Sequence, residues 1–208
     1  MADFTKEQKA LFKKLNTPAK VQDFLNSIPI NFEEDKINSL KSPLMVMRKW
    51  NAHCIEGAIL GAYILSLHGH KPLLINLKAN KKDFDHVIVP FKVNGYWGAL
   101  SKTNHAVLRY REPVYKNTRE LVMSFFHEYF TDDGKKTLRK YSVPLNLFEF
   151  GDDWITEEQY GLWGIDDELD RIKHYDIAPK QNMKNLRLAE KIERDAGKII
   201  QYKRPNKK

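Results

Sequence analysis

The chain has 208 residues, with 35 Lys and Arg against 27 Asp and Glu, and a single cysteine, Cys54. This length predicts one domain with a sizeable core, or one domain with an extension. One cysteine excludes an intramolecular disulfide framework, and no run approaches the roughly 20 apolar residues of a membrane span. Residues 1–18 favour a short amphipathic helix rather than a secretory leader. We therefore expect a soluble, cytoplasmic protein.

The order of the predicted elements indicates an α+β fold. Helices are predicted near residues 5–15, 18–27, 54–68, 117–130, 157–174 and 183–200, and strands near 73–78, 86–93, 96–101 and 106–111. The segment 27–43 begins and ends near prolines and is predicted to be a loop. Four consecutive strands that follow one apolar helix indicate an antiparallel sheet packed on that helix.

Cys54 lies at the start of the predicted central helix. The stretch from Ile55 to Leu67 is apolar on nearly every face, which is typical of a buried helix. Asn51 is the predicted N-cap, because its short side chain can accept from a backbone N–H two or three residues on. The partial positive charge at a helix N-terminus lowers the pKa of a thiol. The position of Cys54 is therefore suited to a nucleophile.

A predicted hairpin sets the environment of His86. The dipeptide Asn94-Gly95 favours a two-residue type I′ turn, which pairs Ile88 with Ser101 and places Ser101 diagonally across from His86. Ser101, or Thr103 beyond it, is then able to orient the imidazole. Asn104 would point away if the strand continued, but could turn back if the strand ends at Thr103.

These residues resemble the transglutaminase-like branch of the papain-like cysteine hydrolases. The resemblance covers about residues 18–104: a cysteine opens a buried helix, "DHVIVPF" follows, and "GYWGALSKT" comes after a tight turn. It implies a central buried helix that carries the cysteine, an antiparallel sheet packed on it, and additional C-terminal helices.

The resemblance also implies a chemistry. Carried over by position, Cys54 is the nucleophile and His86 the base, while the third residue falls on Ser101, where the family normally has aspartate. The implied reaction is acyl transfer through a thioester on a peptide, protein or small amide, without a cofactor or metal. The Cys54 backbone N–H and a side-chain donor, Asn51 or Trp50, are the candidates for the oxyanion site.

Three alternatives remain open from the sequence. Serine can orient a histidine but supplies no charge, so the fold could be retained as a non-catalytic binding module; Asn104 could instead take the third role, as an amide does in papain-like proteases. Residues 180–208 hold ten Lys and Arg against three Asp and Glu. We predict a domain over 1–179 and a basic helix and tail over 180–208. A solvated tail is favoured over one that binds nucleic acid or an acidic partner.

Overall fold

The computed structural model describes residues 4–32, 40–159 and 161–204. Its helices are α1 Lys6–Lys14, α2 Pro18–Ser27, α3 Pro43–Lys49, α4 Cys54–Ser66, α5 Thr118–Phe126, α6 Trp163–Arg171 and α7 Lys191–Gly197. Its strands are β1 Leu73–Ala79, β2 His86–Val93, β3 Tyr96–Ser101, β4 Arg111–Tyr115, β5 Leu138–Ser142, β6 Leu145–Asn146 and β7 His174–Asp176. The predicted α+β class is confirmed.

The strands form one antiparallel sheet in the order β4-β3-β2-β1-β5-β7, with β6 paired to β1. The predicted hairpin register is confirmed, since Ile88 pairs with Ser101. Asn94 and Gly95 both have positive φ, 49° and 85°, as a type I′ turn requires. The short turn therefore fixes which side chains of β2 and β3 share a face.

The two faces of the sheet pack against different helices. On one face, α4 contacts Val87, Val89 and Leu100 in the larger apolar core. On the other face, Ile88 and its neighbours pack with α5 in a second apolar cluster. Because side chains alternate along a strand, His86 and Ser101 belong to the α5 face.

Helix α4 lies very close to the sheet. A Cβ at Gly61 would stand 3.0 Å from the side chains of Leu25 and Leu100, so the absent side chain permits this approach. The N-cap of α4 is His53, and the predicted N-cap Asn51 is wrong. The buried carboxylate of Glu56 accepts from the His53 N–H at 2.7 Å, which stabilises a start two residues later.

The predicted loop over residues 27–43 begins where α2 ends, at Ser27, and is followed directly by α3, a helix that was not predicted. Ser42 caps α3 and Pro43 occupies its first turn, so this proline begins a helix instead of closing a loop. Residues 33–39 of that prediction lie outside the described part of the chain.

Several elements in the second half differ from their predictions. Strand β4 begins at Arg111, so the strand predicted over 106–111 is wrong, and the short strands β5, β6 and β7 were not predicted. Helix α7 spans seven residues instead of the predicted 183–200, and both Ile192 and Ile199 are exposed. In the described residues no helix is long and apolar enough to cross a membrane.

Candidate active site

Cys54 is the first residue of α4 and the only cysteine in the chain. Its thiol lies against the backbone N–H of Val87, the second residue of β2. The helix thus brings the thiol to the end of the strand at which His86 lies. Burial raises the pKa of the Cys54 thiol, although the backbone N–H groups of Val87 and Ile55 act in the opposite direction.

His86 is buried, and its ring contacts Ser101. The distance from His86 Nε2 to Ser101 Oγ is 2.7 Å. The Ser101 hydroxyl also donates to the carbonyl oxygen of Leu108. Since that carbonyl can only accept, the Ser101 oxygen must accept from Nε2–H. This chain of hydrogen bonds favours the tautomer that leaves the lone pair on Nδ1.

Leu108 holds its carbonyl in an uncommon backbone conformation. Its φ is 59°, in the left-handed region that non-glycine residues seldom adopt. The Leu108 N–H donates to Glu128 Oε2 at 2.7 Å, and Glu128 pairs with Arg111 at 2.6 Å. These contacts stabilise the strained conformation, which aims the Leu108 carbonyl at Ser101.

The structure does not join all three predicted catalytic side chains. Within residues 4–32, 40–159 and 161–204, no hydrogen bond links the Cys54 thiol to the His86 ring. Burial lowers the pKa of His86 to about 4. A neutral imidazole and a protonated thiol are therefore the favoured resting forms at neutral pH, rather than an ion pair.

No hydrogen bond among the described residues links any of the three alternative site residues to Cys54 or His86. Asn104 exchanges two hydrogen bonds with the backbone of Tyr202, at 2.9 Å from its Nδ2 and 2.8 Å to its Oδ1. It is therefore not the residue that contacts His86. Trp50 is 43% exposed and its ring lies 5.9 Å from that of Phe24. Asn51 follows Trp50, the C-cap of α3, and its buried Oδ1 has no partner among the described residues.

An open cleft of about 460 Å³ lies beside the thiol. It is bounded by the start of α4, by β1, by the loop between β1 and β2, and by α6. Neither Trp50 nor Asn51 is among the described residues that line it.

Sequence reasoning missed the contribution of α6 to this cleft. Asp166 and Asp170 of the motif "GIDDELD" both line the cleft that contains Cys54, and neither is among the site residues predicted from the sequence. Their spacing of four residues places them on one helix face, which was the available signal. Only the packing of α6 against β1 reveals which way that face points.

No group of three or more His, Cys, Asp or Glu side chains in the described residues could hold a metal ion.

Comparison with known proteins gives one family. The family model described as Vasohibin matches residues 40–146, just over half of the chain, and this segment contains Cys54, His86 and Ser101. No curated protein matches the chain. On the extent of the family match, the chain belongs to the vasohibin family.

Proposed function

We propose that this protein is a cysteine-dependent acyl-transfer enzyme of transglutaminase-like type that hydrolyses an amide bond. Cys54 is the nucleophile, His86 is the general base and then the general acid, and Ser101 orients the imidazole. The observation that carries the proposal is the hydrogen-bonded chain from Leu108 through Ser101 to His86 Nε2, because it leaves Nδ1 as a base.

The proposed reaction begins with a proton transfer from the Cys54 thiol to His86 Nδ1 as Sγ attacks the amide carbon. The Cys54 backbone N–H donates to the oxyanion of the tetrahedral intermediate. The imidazolium then protonates the leaving amine, and a thioester remains on Cys54. Water attacks this thioester with His86 again as base, which releases the acid and restores the thiol; an amine in place of water would give transfer instead.

The electrostatics support general-base activation rather than a stored thiolate. An imidazole whose pKa is about 4 is unprotonated at neutral pH, so its lone pair is free, and the burial that lowers the pKa also makes it a weaker base than an ordinary imidazole. The thiol and the ring must come together during this step, and catalytic hydrogen bonds are often long in unliganded enzymes. The position of the thiol beside the strand that carries His86 is compatible with this approach.

The rate of iodoacetamide labelling of Cys54 against pH tests the proposal. We expect the wild-type protein to react at least roughly tenfold faster than His86→Ala at pH 6, since a positioned base contributes on the order of 10²–10⁴ in favourable cases. The control is His127→Ala, which removes an exposed histidine and should leave the rate unchanged. An inflection near an ordinary thiol pKa that His86→Ala does not alter would contradict the proposal.

A non-catalytic binding module is the second candidate. Two observations favour it: Ser101 supplies no negative charge to stabilise an imidazolium, and the described residues contain no hydrogen bond between thiol and ring. In this case labelling of Cys54 would be slow and independent of His86. The same labelling series therefore distinguishes the two candidates.

A further inference from the structure

The cleft beside Cys54 carries an excess of negative charge. Among the described residues that line it are four aspartates, Asp83, Asp85, Asp166 and Asp170, and two lysines, Lys78 and Lys81. The whole chain has a net charge of +8. The cleft is thus an acidic surface on a basic protein, and such a local field concentrates cations.

Part of this charge is already compensated. Lys78 lies between two of the acids, with its Nζ 2.6 Å from Asp170 and 3.6 Å from Asp85. Asp166, in contrast, makes no side-chain hydrogen bond or ion pair within the described residues. Burial raises the pKa of Asp166, and the neighbouring carboxylates of Asp170 and Asp167 raise it further. Asp166 is therefore the carboxylate that would gain most from a cationic partner.

Asn76 supplies an independent sign of a missing ligand. Its side chain lines the cleft, is 3% exposed, and donates from Nδ2 to Asp170 at 3.3 Å. Its Oδ1 has no hydrogen-bond partner among the described residues. Buried acceptors are nearly always paired in native proteins, so this oxygen calls for a donor from outside the chain.

The rim of the cleft adds an aromatic ring. Phe84 is 89% exposed, which is unusual for a phenylalanine, and lines the same cleft. A cation is attracted to the face of an aromatic ring. Carboxylates, an unpaired amide oxygen and an exposed ring together select a group that has both positive charge and N–H donors.

We propose that this cleft binds the ammonium or guanidinium group of a Lys or Arg side chain in a peptide substrate, close to the amide that Cys54 attacks. The substrate assignment rests on the proposed function, whereas the capture of the cation depends only on the cleft. Asp166 and Asp170 lie on α6, outside residues 40–146 that match the family model. The preference for a cation thus depends in part on a segment of this chain that the family model does not cover.

The first test uses Cys54 as a reporter, which is possible because it is the only cysteine. Three methanethiosulfonates are compared: one with a trimethylammonium group, one with a sulfonate group, and one neutral methyl reagent. In each, the Cys54 sulfur displaces methanesulfinate and forms a mixed disulfide. At low salt we expect the cationic reagent to react on the order of tenfold faster than the anionic one. This ratio should shrink at high salt.

The variant Asp166→Asn should lower the cation-to-anion ratio by roughly threefold. The matched control is Asp167→Asn. Asp167 is the next residue of α6 and carries the same charge, but it does not line the cleft. Ratios near one in the wild-type protein, or equal losses in both variants, would overturn the proposal.

The second test measures peptide selectivity. Peptidyl chloromethyl ketones with Lys, norleucine or Glu one or two residues from the reactive carbon are allowed to alkylate Cys54. Norleucine matches the length of the Lys side chain but lacks the ammonium group. We expect the Lys reagent to alkylate Cys54 roughly fivefold faster than the norleucine reagent, and we expect Asn76→Leu to reduce this ratio. Equal rates for Lys and norleucine at both positions would contradict the proposal.

The two proposals fail in different ways. Loss of the His86 effect on labelling, with the charge preference intact, would remove the enzyme assignment and leave the cation site. Loss of the charge preference, with the His86 effect intact, would leave the enzyme and remove the cation site.

Discussion

The Ser101 hydroxyl determines which nitrogen of His86 can act as a base. Its proton goes to the Leu108 carbonyl, so its oxygen accepts from Nε2–H. A hydroxyl supplies no charge, and it therefore fixes the tautomer without stabilising an imidazolium. The lowered pKa of His86, about 4, agrees with a buried ring that has no negative partner.

We expect Ser101→Ala to slow iodoacetamide labelling of Cys54 more than Asn104→Ala does. The alanine at 101 removes the only side-chain hydrogen bond that orients the ring among the described residues. We expect a loss of roughly tenfold at pH 6, since orientation of the base is lost while the base itself remains. The variant Asn104→Ala is the comparison, because its side chain contacts Tyr202 and not the ring, so it can act on His86 only indirectly through the loop that carries Leu108.

Equal rates in the wild-type protein and both alanine variants would show that neither residue orients His86. The variant Ser101→Thr keeps the hydroxyl. A labelling rate near the wild-type rate in this variant would show that the loss in Ser101→Ala comes from the missing hydrogen bond and not from altered packing. A melting temperature for each variant identifies any loss that comes from partial unfolding.

The sequence predicted the contact between His86 and Ser101 because a two-residue turn sets register over a short range. It could not predict the role of Leu108. Nothing in the local pattern indicates that a leucine adopts positive φ, which depends on Glu128 twenty residues later. The choice between Ser101 and Asn104 likewise depended on where Asn104 finds its partner, at the far end of the chain.

At the level of elements, the long apolar helix α4 was predictable, its N-cap was misplaced by two residues, and the short edge strands were not predicted. Helix α2 begins and ends where predicted, because Thr17 and Pro18 mark its start clearly. Strands β6 and β7 have two and three residues and carry little periodicity of their own. Their positions depend on β1 and β5, so only tertiary pairing defines them.

The C-terminal segment forms a clamp over the loop that follows Ser101. Residues 199–202 bond to residues 104–106 through Ala106 N–H to Ile199 O at 3.0 Å and Gln201 N–H to Asn104 O at 2.8 Å. The Tyr202 hydroxyl donates to Asn26 O at 2.6 Å. This clamp holds the start of the loop that carries Leu108, whose carbonyl contacts Ser101.

We expect deletion of residues 199–208 to lower the melting temperature by roughly 5 °C, because several hydrogen bonds and their packing are lost. The same deletion should slow labelling of Cys54. Without the clamp the loop no longer positions the Leu108 carbonyl, so Ser101 no longer orients the His86 ring. Deletion of residues 205–208 alone removes two lysines and keeps the clamp, and is the matched control. A full-length rate in the longer deletion would show that the clamp does not support the site.

Across the whole molecule, charge is separated between surfaces. Residues 180–208 carry a net charge of +7 of the total of +8, while the cleft beside Cys54 is acidic. The basic segment is fixed partly over the loop after Ser101, through residues 199–201. It is also fixed over the segment that follows α2, where Arg204 donates to Phe32 O at 3.1 Å. A cationic substrate would therefore be directed to the cleft by repulsion from one surface and attraction to the other.

The buried histidine makes the stability of the whole fold sensitive to acid. The folded pKa of His86 is about 4 and the unfolded value is about 6.5, so between these values the unfolded chain binds more protons. The free energy of unfolding should fall as pH decreases from about 6.5 to 4, by roughly 3 kcal/mol from this group. The lowered pKa of His70 acts in the same direction, whereas the raised pKa of Asp166 opposes it near the acid end.

Urea unfolding of the wild-type protein and of His86→Gln between pH 7 and pH 4.5 measures this effect. Glutamine keeps an N–H donor for Ser101 but does not titrate, so we expect its free energy of unfolding to change much less over this range. The exposed His127→Gln is the control and should follow the wild-type curve. If His86→Gln lost stability with acid as steeply as the wild-type protein, other groups would dominate the acid response. The buried neutral imidazole, on which general-base activation of Cys54 depends, would then lack its expected thermodynamic signature.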